Sequence, residues 1–160
     1  MKLKRQQKRI GLVALLSLLL AGCATPPAPI AIIADETAKE FVAKKNTATI
    51  YVFDHHAPIS QFNFPVVIDT QIAGHLGKGR YMMLELTPGT YVFTSIGGQQ
   101  NPEFEITVEA GKLYFIKQSQ LWSTPWAGGR FPGASYEQVD ETNGKNQIEE
   151  RQRVAARFRF

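Results

Sequence analysis

Histidines at 55 and 56 follow Asp54, and a third stands at 75, so a metal held by imidazole and carboxylate is the first chemistry to weigh. Adjacent residues on an extended chain point to opposite faces, so His55 and His56 could share one ion only across an irregular turn. No His-x-His or His-x3-His spacing accompanies them, and those are the spacings that put two ligands on one side. The plainer reading is a polar strand end entering a loop. Glu103 and Glu105 could be pictured as paired carboxylates, but acid catalysis needs one of a pair in a pocket that raises its pKa. In the alternating run from Glu103 to Glu109 both acids fall on the wet face of a strand. They read better as solubility and edge protection. The chain has no Gly-x-Ser-x-Gly elbow and no strand–helix alternation to support a nucleophile. No catalytic residue and no metal ligand is therefore assigned.

The segment 121–136 (LWSTPWAGGRFPGASY) carries both tryptophans and five Pro/Gly breakers, which predicts a long loop leaving a sheet. Loops longer than about 12 residues are uncommon and often functional. Trp beside Arg is the composition of interface hot spots and of sugar-stacking platforms. Two readings stay open. Trp122 and Trp126 fold back to cap one end of the fold, or Trp122, Trp126, Arg130 and Phe131 form a binding surface.

The single cysteine, Cys23, excludes an internal disulfide and any Cys-based metal site. Its surroundings indicate another use. Residues 1–9 are basic, residues 10–20 (IGLVALLSLLL) are apolar without a break, and Ala21 and Gly22 are small. That is the order of a secretory leader. The apolar run would span roughly 17 Å as a helix, well short of the ~30 Å hydrocarbon core that a permanent span must cross. Leu20-Ala21-Gly22-Cys23 resembles the lipobox of bacterial lipoproteins. The resemblance implies cleavage between Gly22 and Cys23, diacylglycerol on the thiol, and an N-acyl chain on the new amino group. It implies no other cofactor. Each buried acyl CH₂ contributes about 0.8 kcal/mol, so two or more chains make a stable anchor. The residue after the lipidated Cys is Ala24, where Asp would favour inner-membrane retention. The family rule therefore points to the periplasmic face of the outer membrane, with the inner membrane as the lesser alternative.

The net charge of +4 invites a nucleic-acid reading, which the distribution removes. Five of the 18 Lys and Arg lie in residues 1–9 and no acid precedes Asp35, which leaves 13 against 14 Asp and Glu in the remainder. A near-neutral domain offers no electrostatic footprint for nucleic acid.

Four parts follow: a leader over 1–22, the lipidated Cys and a Pro/Ala-rich tether over 23–34, a β-domain over 35–142, and a C-terminal helix and tail over 143–160. Asp35-Glu36-Thr37 reads as the start of a short helix over 35–45. Apolar and polar residues then alternate in short runs rich in β-branched and aromatic residues. These runs are 47–54, 65–69, 72–76, 80–86, 90–96, 103–109, 113–118 and 134–139. Turn chemistry separates them at Asp69-Thr70-Gln71, Gly77-Lys78-Gly79, Pro88-Gly89, Gly97-Gly98 and Ala110-Gly111. Gly74 and Gly89 are read as tight-turn positions. Asp140 to Gly144 reads as a turn, with a helix over 145–158 that pairs Glu149 with Arg153. The fold class is mainly β: a small antiparallel β-sandwich of seven or eight strands with a short N-terminal and a C-terminal helix.

The strand ATIYVFD (48–54), the stretch PVVIDTQIAGHLGKGRYMMLELTPGTYVF (65–93) and EAGKLYFIK (109–117) resemble the bacterial lipoproteins of the domain of unknown function 2846. The middle stretch is also similar to PEGA-type domains, small β-sandwich modules of bacterial surface proteins. The resemblance implies fold and location and supplies no catalytic motif. The function expected is that of a non-enzymatic envelope module, anchored to the membrane by lipid, that contacts another envelope protein. Alternatives are a peptidoglycan- or polysaccharide-binding module, with Trp122 and Trp126 stacking on sugar rings, and, least favoured, an envelope hydrolase.

Overall fold

The computed structural model describes residues 32–55, 63–96, 102–121 and 133–156. Among these residues nine strands form two sheets, with a short helix before the first strand and another before the last. The strands are β1 (Ala48–His55), β2 (Phe64–Ile68), β3 (Gln71–Leu76), β4 (Arg80–Leu86), β5 (Gly89–Thr94), β6 (Phe104–Val108), β7 (Leu113–Gln120), β8 (Ala134–Val139) and β9 (Gln152–Val154). The helices are α1 (Ile32–Ala38) and α2 (Glu141–Glu149). One sheet runs β8-β7-β1-β4-β9 and the other β3-β2-β5-β6.

The mainly β, two-sheet class expected from the alternation is the class observed. Its pairing is not wholly antiparallel: β1 runs parallel to β7, and β4 runs parallel to β9. Parallel neighbours need a long crossover, and here the connection between β1 and β7 runs through the whole second sheet and through β4 of the first.

The layers follow from which faces are apolar. Ile50 and Val52 of β1, Met82 and Leu84 of β4, and Tyr114 and Ile116 of β7 face Val66, Ile68, Phe93 and Ile106 of the second sheet. The opposite face of the first sheet is also dry, because Tyr51, Phe53, Tyr81 and Phe115 pack with Ala38 of α1 and Ile148 of α2. A strand buried on both faces reads as a near-continuous hydrophobic run, which is what TIYVF (49–53) is, and β1 is buried from Ala48 to Asp54. The second sheet wets its outer face. Glu105 and Thr107 of its edge strand β6 are exposed, as the alternation of 103–109 predicts.

Both helices differ from expectation. Asp140 N-caps α2, its carboxylate accepting from Asn143 N at 2.9 Å, so the helix starts where a turn was expected. Gly144 sits inside that helix because no side chain fits there: its Cβ would press into Phe115. The helix ends at Glu149, and the Glu149–Arg153 helical pair does not form, since Arg153 lies on β9. The apolar stripe beyond Ile148 was too thin to hold a helix, whereas Val154 on a strand reaches the main core. At the other end α1 stops at Ala38 rather than near 45, and Phe41 takes a left-handed φ of 52°. That kink turns the Phe41 ring onto Tyr51 and Phe115, at centroid distances of 5.3 and 5.9 Å. Gly74 is not at a turn but within β3, where the tip of the Met82 side chain occupies the space a Cβ would take.

Candidate functional site at the loop-bearing end

The registers gather particular strand ends together. His55 of β1 is level with Ser119 of β7, and Ala134 of β8 is level with Gln120. Phe64 of β2 is level with Leu76 of β3, Phe93 of β5 with Phe104 of β6, and Arg80 of β4 with Gln152 of β9. Hydrogen bonds between the sheets fix their mutual orientation. Ala134 N donates to Ser95 Oγ at 3.0 Å, and Ser95 Oγ donates to the Ala134 carbonyl at 3.4 Å. The Tyr136 hydroxyl donates to the Pro65 carbonyl at 3.1 Å. Gln118 Nε2 donates to the Tyr136 hydroxyl at 2.9 Å and to the same carbonyl at 3.3 Å. One end of the sandwich therefore carries the chain ends at 55 and 63, 96 and 102, and 121 and 133, and Leu121 N donates to the Gly133 carbonyl at 2.8 Å across the last of these gaps.

The core beneath this end is polar. Among the described residues, Asp54, Ser95 and Gln118 are three of the four buried polar ones, and the Tyr136 ring lies with them. Asp54 is the register partner of Gln118, and both continue the inward-facing positions of their strands. Burial pushes the Asp54 carboxyl up to about 6, a rise opposed by the nearby Arg151 guanidinium. Burial likewise raises the Tyr136 hydroxyl above the ordinary range, with hydrogen bonds from Gln118 and from the Val67 backbone acting against it. Arg151 clamps the end of β1: its Nε and Nη2 donate to the Asp54 carbonyl at 3.3 and 3.1 Å, and its guanidinium lies 5.2 Å from the Phe53 ring centroid. Desolvation lowers the Arg151 pKa, against the attraction of Asp54 and Glu150. Buried polar groups of this kind specify one arrangement when they are paired, so this layer fixes where the strand ends emerge. Sequence reasoning did not select Gln118 or Ser95. The available signal was a polar residue at an inward position of an alternating strand, Tyr114, Ile116, then Gln118.

Of the residues singled out from sequence, Gly22, Cys23, Trp122, Trp126, Arg130 and Phe131 lie outside the described residues, as does His56. The described strand ends put the boundaries of the Trp segment, Leu121 and Gly133, at the loop-bearing end. His55 is exposed at the tip of β1, while His75 is half-buried on β3 of the other sheet. Among the described residues no group of three or more His, Cys, Asp or Glu side chains could hold a metal ion. Glu103 and Glu105 are both exposed, at and just before the edge strand β6.

Comparison with known proteins adds little beyond this geometry. The chain is 27% identical over 133 residues to an uncharacterized protein of Haemophilus influenzae, a match that covers 82% of this chain and 76% of that one. No model of a protein family matches the chain, and no solved structure is similar to it.

Proposed function

We propose that the protein is a lipid-anchored, periplasm-facing envelope lipoprotein that acts without catalysis, as a module presenting a loop surface to another envelope protein. The observation that carries this reading is the convergence of three connections, 56–62, 97–101 and 122–132, on strand ends gathered at one end of the sandwich. Binding residues concentrate on loops held by a rigid scaffold, and the buried Ser95–Ala134 and Gln118–Tyr136–Pro65 links supply the rigidity. The Trp122–Phe131 segment, with its Trp and Arg composition, is the contact surface in this reading. Cys23 supplies the anchor through diacylglycerol and an N-acyl chain, and Ala24 favours the outer membrane. Membership of the domain of unknown function 2846 lipoproteins, with their PEGA-like core, rests on the quoted stretches 48–54, 65–93 and 109–117.

In-cell photo-crosslinking from a probe replacing Trp126, in the lipidated protein, tests the proposal. A discrete protein adduct that disappears in a Cys23→Ala variant is the expected result. Adducts to glycan alone replace the protein partner with cell-wall polysaccharide. Absence of any adduct, with the probe shielded from solvent, returns the segment to a capping role.

A further inference from the structure

The segment that leads from α1 into β1 crosses the outer face of the five-stranded sheet in one direction. Asp35 accepts from the Tyr81 hydroxyl, and Tyr81 is level with Phe53 near the loop-bearing end of β1. The Tyr51 hydroxyl then donates to the Ala38 carbonyl at 2.6 Å, midway along the sheet. Phe41 covers Tyr51 and Phe115, and Lys44 reaches Glu85, level with Thr49, at 2.5 Å. The Lys44 carbonyl accepts from Gly111 N at 3.1 Å at the far end. The segment thus runs opposite to β1, and the polypeptide enters the domain at the end where the loops emerge.

That entry is well fastened. Lys39 Nζ lies 3.2 Å from Asp35 Oδ2 and donates to the carbonyls of Glu149 and Arg151 at 3.1 and 2.7 Å. The beginning of the described part of the domain is therefore tied to the sheet through Tyr81 and to the end of α2 through Lys39. Ile32 is the ninth residue after Cys23. Nine residues reach at most about 30 Å when fully extended, at ~3.3 Å each. The eight residues of β1 span about 26 Å at ~3.3 Å per residue. To bring the far end against the bilayer, the tether would have to double back along the domain and spend nearly all of that reach.

Resting on the reading of Cys23 as the lipid anchor, we infer that the loop-bearing end of the sandwich faces the bilayer holding the lipid, with the β3–β4 hairpin tip at Gly77–Arg80 toward the headgroups. This end exposes both cationic and apolar side chains that a headgroup layer can take. Lys78 is exposed at the tip, Arg80 donates to the Gln152 side chain beside it, and Ile96 is 56% exposed at the end of β5. Glu103, Glu149 and Glu150 are exposed acids at the same end and offset its cations. Neither sign dominates, so orientation comes from where the tether enters. A protein partner reached through this end is then one that itself sits at the membrane surface.

The test uses the full lipidated protein in vesicles of phosphatidylethanolamine and phosphatidylglycerol that carry a headgroup acceptor dye. In that protein the Cys23 sulfur is held in a thioether, so Lys78→Cys and Thr70→Cys each provide one free thiol for a donor dye. These two exposed sites bracket β3, Lys78 at the loop-bearing end and Thr70 at the far end. Intact mass first establishes the acyl chains on each variant. Transfer at least twofold more efficient from position 78 than from position 70 is expected. Equal or reversed transfer in acylated protein overturns the orientation and leaves the anchor standing. An unacylated Cys23 overturns the anchor reading and takes the orientation with it.

Discussion

Gly144→Ala should destabilise the protein, although helix propensity alone argues the reverse. Alanine is favoured over glycine within a helix by about 1 kcal/mol. Gly144, however, is buried in α2 against the sheet, and an added Cβ would lie inside van der Waals contact of Phe115 Cβ and Cγ and 2.5 Å from Cδ1. Phe115 Cβ is held by the backbone, so no rotamer change moves it away. The ring is confined as well: it stacks on Tyr51 at 5.2 Å with an interplanar angle of 10°, and Phe41 packs against both rings, 5.9 Å from Phe115 and 5.3 Å from Tyr51. Overpacking a filled site costs about 1–3 kcal/mol, and the lack of room places this site in the upper half of that range. After the propensity gain, a net loss of about 1–2 kcal/mol remains, roughly a 4–8 °C fall in Tm for a domain of this size. Asn146→Ala, on the exposed side of the same helix, should raise Tm slightly through the same propensity. Thermal melts followed by circular dichroism compare the two. A Gly144→Ala protein as stable as wild type, or more so, would refute the seating of α2 on Phe115.

Three further outcomes are expected. Tyr81→Phe removes the hydroxyl that Asp35 accepts, which should cost about 1 kcal/mol; amide exchange should quicken across 32–38 while β7 stays protected, and uniform protection would contradict the fastening of α1. The folded Asp54 carboxyl keeps its proton up to about pH 6, whereas an unfolded one releases it near 3.9. Between about pH 4 and 6 the folded state thus binds more protons, and this group's contribution to stability falls as pH rises. Urea titrations should show Asp54→Asn gaining on wild type across that window, by up to ~2–3 kcal/mol, and a pH-independent difference would sink the argument. Ser95→Ala strips the buried Ala134 N–H of its partner at 3.0 Å, which should cost about 1–3 kcal/mol and speed proteolysis between β7 and β8; unchanged cleavage would contradict the role of that link.

What could be read from the sequence was local. The alternation of Glu103 to Glu109 gave β6 and its wet face, and Asp69-Thr70 gave the β2–β3 turn, where Asp69 adopts a φ of 55°. The two-sided burial of β1 was written in its unbroken apolar run, although the run does not say that α1 and α2 provide the second cover. The parallel pairing of β1 with β7 could not be read, since it joins residues far apart in the chain. The C-terminal region misled because Arg151, Gln152 and Arg153 have good helical propensity. Tertiary contacts prevail there, with Arg151 on the Asp54 carbonyl and β9 on the edge of β4. The polar layer at Asp54, Ser95 and Gln118 was hidden because two of its members come from β1 and β7 of one sheet and the third from the residue just after β5 of the other.

If Cys23 carries lipid and holds this domain at a membrane, mass spectrometry of the N-terminal peptide from the membrane fraction should find a peptide that begins at Cys23 and bears a diacylglyceryl group and an N-acyl chain. Cys23→Ala should lose both that peptide and membrane association. A leader still attached to residue 23, or a mature protein with a free Cys23 thiol, would contradict the lipid anchor.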